Sequence, residues 1–153
     1  MQSKSKKLLS LISAIVMLMT LLPSALFVNA ADVITVVSSD NPVEIQMDDK
    51  WKDTTITKTC NITESGKYRA TVVAQSGSSD SWLKVSVNSK DIYGEGKWCD
   101  GSWNNTTKQA EIDLSAGTVS IDFFGNHKVK YMSFTLEKVG GSTGSGEESS
   151  SNV

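Results

Sequence analysis

The chain has 153 residues, of which 39% are hydrophobic and 21% charged, and its formal net charge is −2. Three of its 15 basic residues, Lys4, Lys6 and Lys7, lie in the first 30 positions, and without them twelve bases face 17 acids, a net charge of about −5. Such an acidic chain lacks the positive surface that attracts nucleic acids and anionic membranes, so neither is an expected partner.

Residues 1–30 have the order of regions found in a secretory signal peptide. The three lysines precede an apolar run over 8–28, which closes on Val28-Asn29-Ala30. A run of this length could also be a membrane-spanning anchor, but Pro23 and the A-x-A-like end favour cleavage near Ala30 or Ala31. We therefore expect a secreted or cell-surface protein, and the lysine-rich leader is typical of a Gram-positive bacterium.

From Val33 onward, apolar residues recur with a period of two, and Gly, Ser, Asn and Asp separate the runs. Alternation predicts, for example, that Met132, Phe134 and Leu136 face a core. The spacing predicts an all-β domain over 31–139, a β-sandwich of jelly-roll type with about eight antiparallel strands. The predicted strands are Val33–Val37, Val43–Met47, Thr54–Cys60, Lys67–Gln75, Trp82–Asn88, Lys108–Leu114, Thr118–Phe124 and Val129–Val139.

The segment 88–107 is the longest stretch of the domain without clean alternation, and it contains Tyr93, Trp98 and Trp103. Long loops in compact domains are usually functional or disordered, and aromatic residues argue against disorder. Flat rings beside amides and carboxylates suit a sugar, whose C–H face stacks on an indole while its hydroxyls form hydrogen bonds. The polar side chains in this segment that could form those bonds include Asp100 and Asn104.

Other interpretations of the tryptophans remain open at this stage. Trp98 and Trp103 could instead fold back as a lid over one end of the sandwich. Trp82 alternates with Leu83, so it should face outward, where it could join an aromatic platform. Trp51 lies in a charged loop and could either join that platform or cap the core.

Cys60 and Cys99 are the only two cysteines. An even count in an exported protein favours a disulfide, although two reduced thiols are the alternative. The two residues are too far apart in sequence for a C-x-x-C redox or zinc motif.

Residues for catalysis or metal binding are few. His127 is the only histidine, and neither GxSxG nor HExxH occurs, so we expect no enzyme activity and no cofactor. Glu44, Asp48 and Asp49 could supply oxygen ligands to a structural calcium ion, but a solvated acidic loop is the better explanation of these residues.

Residues 140–153 form a Gly-, Ser- and Glu-rich segment that is typical of a flexible linker. A linker at this position suggests that the domain is a monomeric module of a longer multidomain protein. A natural polar tail is the alternative.

The order of these features resembles the jelly-roll carbohydrate-binding modules of secreted bacterial polysaccharide-degrading enzymes. The similarity is to the xylan-binding modules of families 6 and 35, with family 86 another candidate. The stretches that carry the resemblance are "SGKYRATVVAQSG", "WLKVSVNSKDI", "GSWNN", "AEIDLSAGTVSIDFFG" and "VKYMSFTLEKV".

The resemblance implies that Trp103 stacks on sugar and that Asn126 donates or accepts a hydrogen bond, with Tyr93 or Trp98 as a second aromatic. Some such modules use the open sheet face, where Trp82 would matter more. The acidic calcium ligands of the family are not recognisable beyond Glu44.

We therefore expect a non-catalytic module that holds a parent glycoside hydrolase, such as a xylanase, on plant cell-wall polysaccharide, with xylan as the first candidate. A cell-surface adhesion or protein-interaction module is the alternative, in which the tryptophans would form a protein interface.

Overall fold

A computed structural model describes residues 32–140, and all regular structure within this range is β-strand. The predicted signal peptide and the predicted linker after Gly140 lie outside the described residues. No helix that could cross a membrane occurs in 32–140. The strands are β1 (Val33–Val37), β2 (Val43–Ile45), β3 (Thr54–Ile62), β4 (Gly66–Ser76), β5 (Leu83–Val87), β6 (Lys90–Gly96), β7 (Thr106–Leu114), β8 (Gly117–Gly125) and β9 (Val129–Lys138).

The strands form two antiparallel sheets. One has the order β1-β9-β4-β7, with β2 also paired to β9, and the other has the order β3-β8-β5-β6. Inward-facing residues alternate with outward-facing ones. In β4, for example, every second residue from Tyr68 onward is buried and the residues between them are half-buried. The predicted β-sandwich of jelly-roll type is confirmed.

The largest buried side chains lie at the centre of the layer between the sheets. The Phe123 ring lies 5.0 Å from that of Tyr131 and 5.5 Å from that of Phe134, measured between ring centroids. All three residues are 0% exposed. The interplanar angles are 55° and 85°, and tilted or edge-on aromatic contacts stabilise a core beyond the area they bury.

The interpretation of 88–107 as one irregular loop was wrong, because strand β6 lies within it. Asn88 and Ser89 both have positive φ, 48° and 65°, which forms the two-residue turn that connects β5 to β6. Such turns match the right-handed twist of paired strands. The sandwich therefore has nine strands rather than eight.

A β-bulge changes which residues of β9 face the core. Val73 pairs with Ser133 and Ala74 with Tyr131, so Met132 has no partner on β4. An extra residue in one strand reverses the alternation beyond it. Tyr131 is therefore buried and Met132 is not, which corrects the predicted inward position of Met132.

Cys60 and Cys99 are free thiols, so the expected disulfide is not formed. Cys60 pairs with Val119 near the start of β8. Cys99 follows β6, whose end is joined through Leu83 to Gly125 at the other end of β8. Gly125 lies six positions after Val119, roughly 20 Å along the strand, so the two sulfurs lie near opposite ends of the sandwich.

Four loops meet at one end of the sandwich, which we call the loop end. They are 46–53, 77–82, 97–105 and 126–128. Gly125 pairs with Thr54 and Leu83, and Val129 pairs with Ile45 and Ser76, which brings the strand ends together. The loop end carries the residues that we consider next.

Candidate functional site

The turn 126–128 ties the neighbouring loops of the loop end together. The backbone carbonyl of Asn126 accepts a hydrogen bond from the Lys52 amide, and its side-chain Oδ1 accepts one from the Trp82 amide, each at 2.9 Å. The Lys128 amide donates to the Gln46 carbonyl, and the Lys128 carbonyl accepts from the Gly77 amide. This short turn therefore fixes two flanking loops at once.

Trp51 lies on the loop 46–53 and is the most exposed tryptophan, at 54%. One face of its indole stacks on the imidazole of His127, with ring centroids 4.1 Å apart and an interplanar angle of 17°. His127 itself is buried. The opposite indole face is therefore open to solvent and is flat enough to stack on a sugar ring.

Trp82 is 39% exposed and faces outward, as its alternation with Leu83 predicts. Because Asn126 Oδ1 accepts from the Trp82 amide, the Nδ2 group of Asn126 keeps its two N–H donors for another partner. Asn126, which the family resemblance singled out, thus lies between the loops that carry Trp51 and Trp82.

Trp103 is also 39% exposed, and it adopts a left-handed backbone conformation with φ of 58°. This conformation is unfavourable for a bulky residue. It is held by a hydrogen bond from the Trp103 amide to the Ser76 carbonyl, at 2.9 Å. The indole packs against Gly77, and the ammonium of Lys130 lies 5.8 Å from its ring centroid. Trp103 is therefore exposed but less open than Trp51.

Asp100 and Asn104 shape the loop that presents Trp103. Asp100 accepts a hydrogen bond from the Asn104 side chain at 2.7 Å and another from the Ser102 amide at 2.9 Å. These two bonds lower the pKa of the Asp100 carboxyl, the first more than the second. Both side chains are exposed, so they serve the loop and still border solvent.

Trp98 differs from the other three tryptophans because it is half-buried and held by three contacts. Its Nε1–H donates to the Gly94 carbonyl at 3.1 Å, and its ring contacts Tyr93 edge-on, with centroids 5.8 Å apart. The ammonium of Lys108 lies 5.1 Å from the ring centroid. These contacts explain the residue by local packing.

Tyr93 belongs to the core rather than to an exposed loop. It is 6% exposed, and its hydroxyl lies 2.5 Å from the Ala70 carbonyl and 3.2 Å from that of Lys108. Burial raises the pKa of its phenol. A ring in this position has no free face, so we leave it out of the site proposed below.

The three calcium candidates do not converge. Glu44 forms an ion pair with Lys130 at 2.9 Å, Asp49 forms one with Lys128 at 2.5 Å, and Asp48 accepts a hydrogen bond from the Lys50 amide. Lys128 also lowers the pKa of the Asp49 carboxyl. Among residues 32–140, no group of three or more acidic, His or Cys side chains could hold a metal ion. The three side chains are thus engaged with separate partners and do not form the calcium site that their sequence positions left open.

Sequence reasoning missed two contacts of the loop end. His127 supports Trp51 from 76 positions away in the chain, and a lone histidine in a turn gives no sign of that contact. Gly77 leaves room for the Trp103 indole. The "SGSS" stretch at 76–79 is a signal for a turn, but not for a close contact with a ring.

Comparisons with known proteins place this fold beside carbohydrate-binding modules. No family model and no curated protein sequence matches the chain. A β-(1,4)-mannanase with a family 35 module from Podospora anserina matches 69% of this chain over 27% of its own, with a TM-score of 0.50 and 15% identity.

Two isolated modules give similar matches. A family 35 module from Clostridium thermocellum covers 69% of this chain and 98% of its own, with a TM-score of 0.49 and 12% identity. The C-terminal family 6 module of a laminarinase from Zobellia galactanivorans covers 70% and 100%, with a TM-score of 0.48 and 12% identity. The mannanase with the family 35 module, at a TM-score of 0.50, confirms at the level of the fold the resemblance that the sequence predicted.

Proposed function

We propose that this domain is a non-catalytic module that binds polysaccharide through its loop end. One observation carries the proposal: three of the four tryptophans, Trp51, Trp82 and Trp103, lie exposed on loops at the same end of the sandwich. Large apolar rings are rarely left in water together without a binding role. The fold supports the proposal because carbohydrate-binding modules share it.

The groups at the loop end suit a neutral sugar. The open face of Trp51 can stack on the C–H face of a pyranose, and the Nδ2 donors of Asn126 can reach equatorial hydroxyls nearby. Two lysines of this end, Lys97 and Lys128, are already paired with Asp80 and Asp49. Xylan remains the first candidate ligand, and the mannanase neighbour adds glucomannan to those worth testing.

The composition of two segments, 1–30 and 140–153, suggests where such a module would act. The predicted signal peptide 1–30 implies export, and the predicted linker 140–153 would join the module to a further domain. We propose a secreted protein of a Gram-positive bacterium in which a glycoside hydrolase, such as a xylanase, is the partner domain.

Affinity gel electrophoresis tests the proposal directly. The protein is run in native gels that contain xylan, glucomannan or β-glucan, with bovine serum albumin as a non-binding reference. We expect retardation in at least one gel and its loss in Trp51→Ala. Met47→Ala is the matched control, because Met47 is an exposed apolar residue on the same loop. Equal migration with and without all three polysaccharides would refute the proposal.

The same variant separates polysaccharide binding from a protein-interaction role. If the tryptophans form a protein interface, Trp51→Ala would change self-association in sedimentation experiments and leave the migration in polysaccharide gels unaltered.

A further inference from the structure

The contact between Trp51 and His127 joins the most exposed tryptophan of the domain to a buried polar ring. His127 is 7% exposed, whereas Trp51 is 54% exposed. Their rings are nearly parallel at 4.1 Å between centroids. The imidazole therefore lies against one indole face and offers almost no surface of its own to a ligand.

Hydrogen bonds fix the imidazole independently of Trp51. His127 Nδ1 lies 3.0 Å from the Lys50 carbonyl oxygen, and since a carbonyl only accepts, Nδ1 carries the hydrogen. The backbone carbonyl of His127 accepts a hydrogen bond from the buried Ser81 hydroxyl. The ring is thus tied to the residue that precedes Trp51, and the backbone of His127 is tied to the loop 77–82.

Trp51 itself has little else to hold it. It lies in the irregular segment 46–53, and its side chain has more than half of its surface in solvent. An indole on such a loop would sample several rotamers, and a ligand that stacked on it would have to order it. The stack with His127 removes that freedom before any ligand arrives.

We propose that His127 is the positioning residue of the polysaccharide site: it holds the Trp51 indole flat, with one face covered and the other presented to sugar. The inference rests on the proposed function and adds a role for a residue that does not touch the ligand. It assigns the imidazole two separable tasks, stacking through its ring and hydrogen bonding through Nδ1.

Two substitutions separate these tasks. His127→Phe keeps an aromatic ring under Trp51 and removes the Nδ1 donor, whereas His127→Asn keeps a side-chain N–H near that position and removes the ring. We expect His127→Phe to bind polysaccharide within about twofold of the native protein and His127→Asn to bind about threefold or more weakly, the range set by an aromatic pair.

Thermal unfolding of both variants provides the necessary control. If His127 acts only on the stability of the fold, the loss of affinity will follow the loss of melting temperature in the two variants, and the presence of a ring will make no difference. That result would overturn the proposal.

A second measurement needs no ligand. The four tryptophans give four indole N–H signals in a ¹H–¹⁵N NMR spectrum, and the signal that disappears in Trp51→Phe belongs to Trp51. A ring stacked on Trp51 shifts this signal from its solvent-exposed position. We expect the shift to persist in His127→Phe and to vanish in His127→Asn.

The two measurements also distinguish failure of this inference from failure of the proposed function. If the native protein binds none of the three polysaccharides, the proposed function is refuted, and the NMR comparison still decides whether His127 positions Trp51. If the native protein binds and the Trp51 signal is the same in His127→Asn, only the role of His127 is refuted.

Discussion

Gly77 lies directly against the indole of Trp103: a Cβ added to Gly77 would be 2.4 Å from Cζ2 and 2.7 Å from Cε2 of that ring. Both residues are held through their backbones. The Gly77 amide donates to the Lys128 carbonyl and the Trp103 amide donates to the Ser76 carbonyl, each at 2.9 Å. A methyl group on Gly77 would therefore have to displace the ring, which is the more mobile of the two groups.

We predict that Gly77→Ala lowers the free energy of unfolding by about 1–3 kcal/mol, the usual range for an overpacked contact. Urea denaturation followed by tryptophan fluorescence measures the change. Gly94→Ala is the matched control, because a Cβ at Gly94 has no neighbour within 4 Å. Combining Gly77→Ala with Trp103→Ala should recover part of the loss, and strict additivity of the two changes would show that the contact is unimportant.

Trp98→Ala should reduce stability and leave polysaccharide binding intact. The ring is half-buried, contacts Tyr93 and donates a hydrogen bond to Gly94, so its removal should lower the free energy of unfolding by about 2 kcal/mol. Trp51→Ala should have the opposite effects: it should lose polysaccharide binding and keep a nearly unchanged urea midpoint. Loss of gel retardation in a folded Trp98→Ala protein would instead place Trp98 in the binding site.

The sequence predicted those parts of the fold in which neighbouring residues carry the signal. Alternation identified β4 because its side chains face the core and the solvent in turn without interruption. It missed β6 because Gly94 and Gly96 interrupt the apolar pattern there, and it misplaced Met132 because a bulge depends on the partner strand.

The candidate site was only partly predictable for the same reason. That Trp82 and Trp103 would be exposed could be inferred from their local surroundings. The support that His127 gives to Trp51 depends on two loops that meet only in the folded sandwich. Long-range contacts of this kind leave no periodic trace in a single sequence.

Alkaline pH should destabilise the domain through its buried phenols. Burial raises the pKa of both Tyr93 and Tyr131, so each stays protonated in the folded state above pH 10, where an unfolded tyrosine ionises. The folded state then binds more protons than the unfolded state. The free energy of unfolding must therefore fall as pH rises, by about 1.4 kcal/mol per pH unit for each phenol.

Urea denaturation at a series of pH values from 8 to 12 tests this prediction, with flat stability expected from the phenols below about pH 9. Tyr93→Phe provides the control, since it should halve the alkaline slope that the two phenols produce. It also loses the hydrogen bond to Ala70, so the comparison uses the slope and not the absolute stability. An unchanged slope in this variant would contradict the assignment.

The two cysteines should remain reduced and unreactive while the protein is folded. Burial raises the pKa of both the Cys60 and the Cys99 thiol, which lowers the fraction of the reactive thiolate at neutral pH. Their positions near opposite ends of the sandwich prevent a disulfide without unfolding. We expect slow reaction with Ellman's reagent in buffer, rapid release of two equivalents in urea, and the same melting temperature with and without dithiothreitol. A melting temperature that falls in dithiothreitol would show that the thiols are bridged.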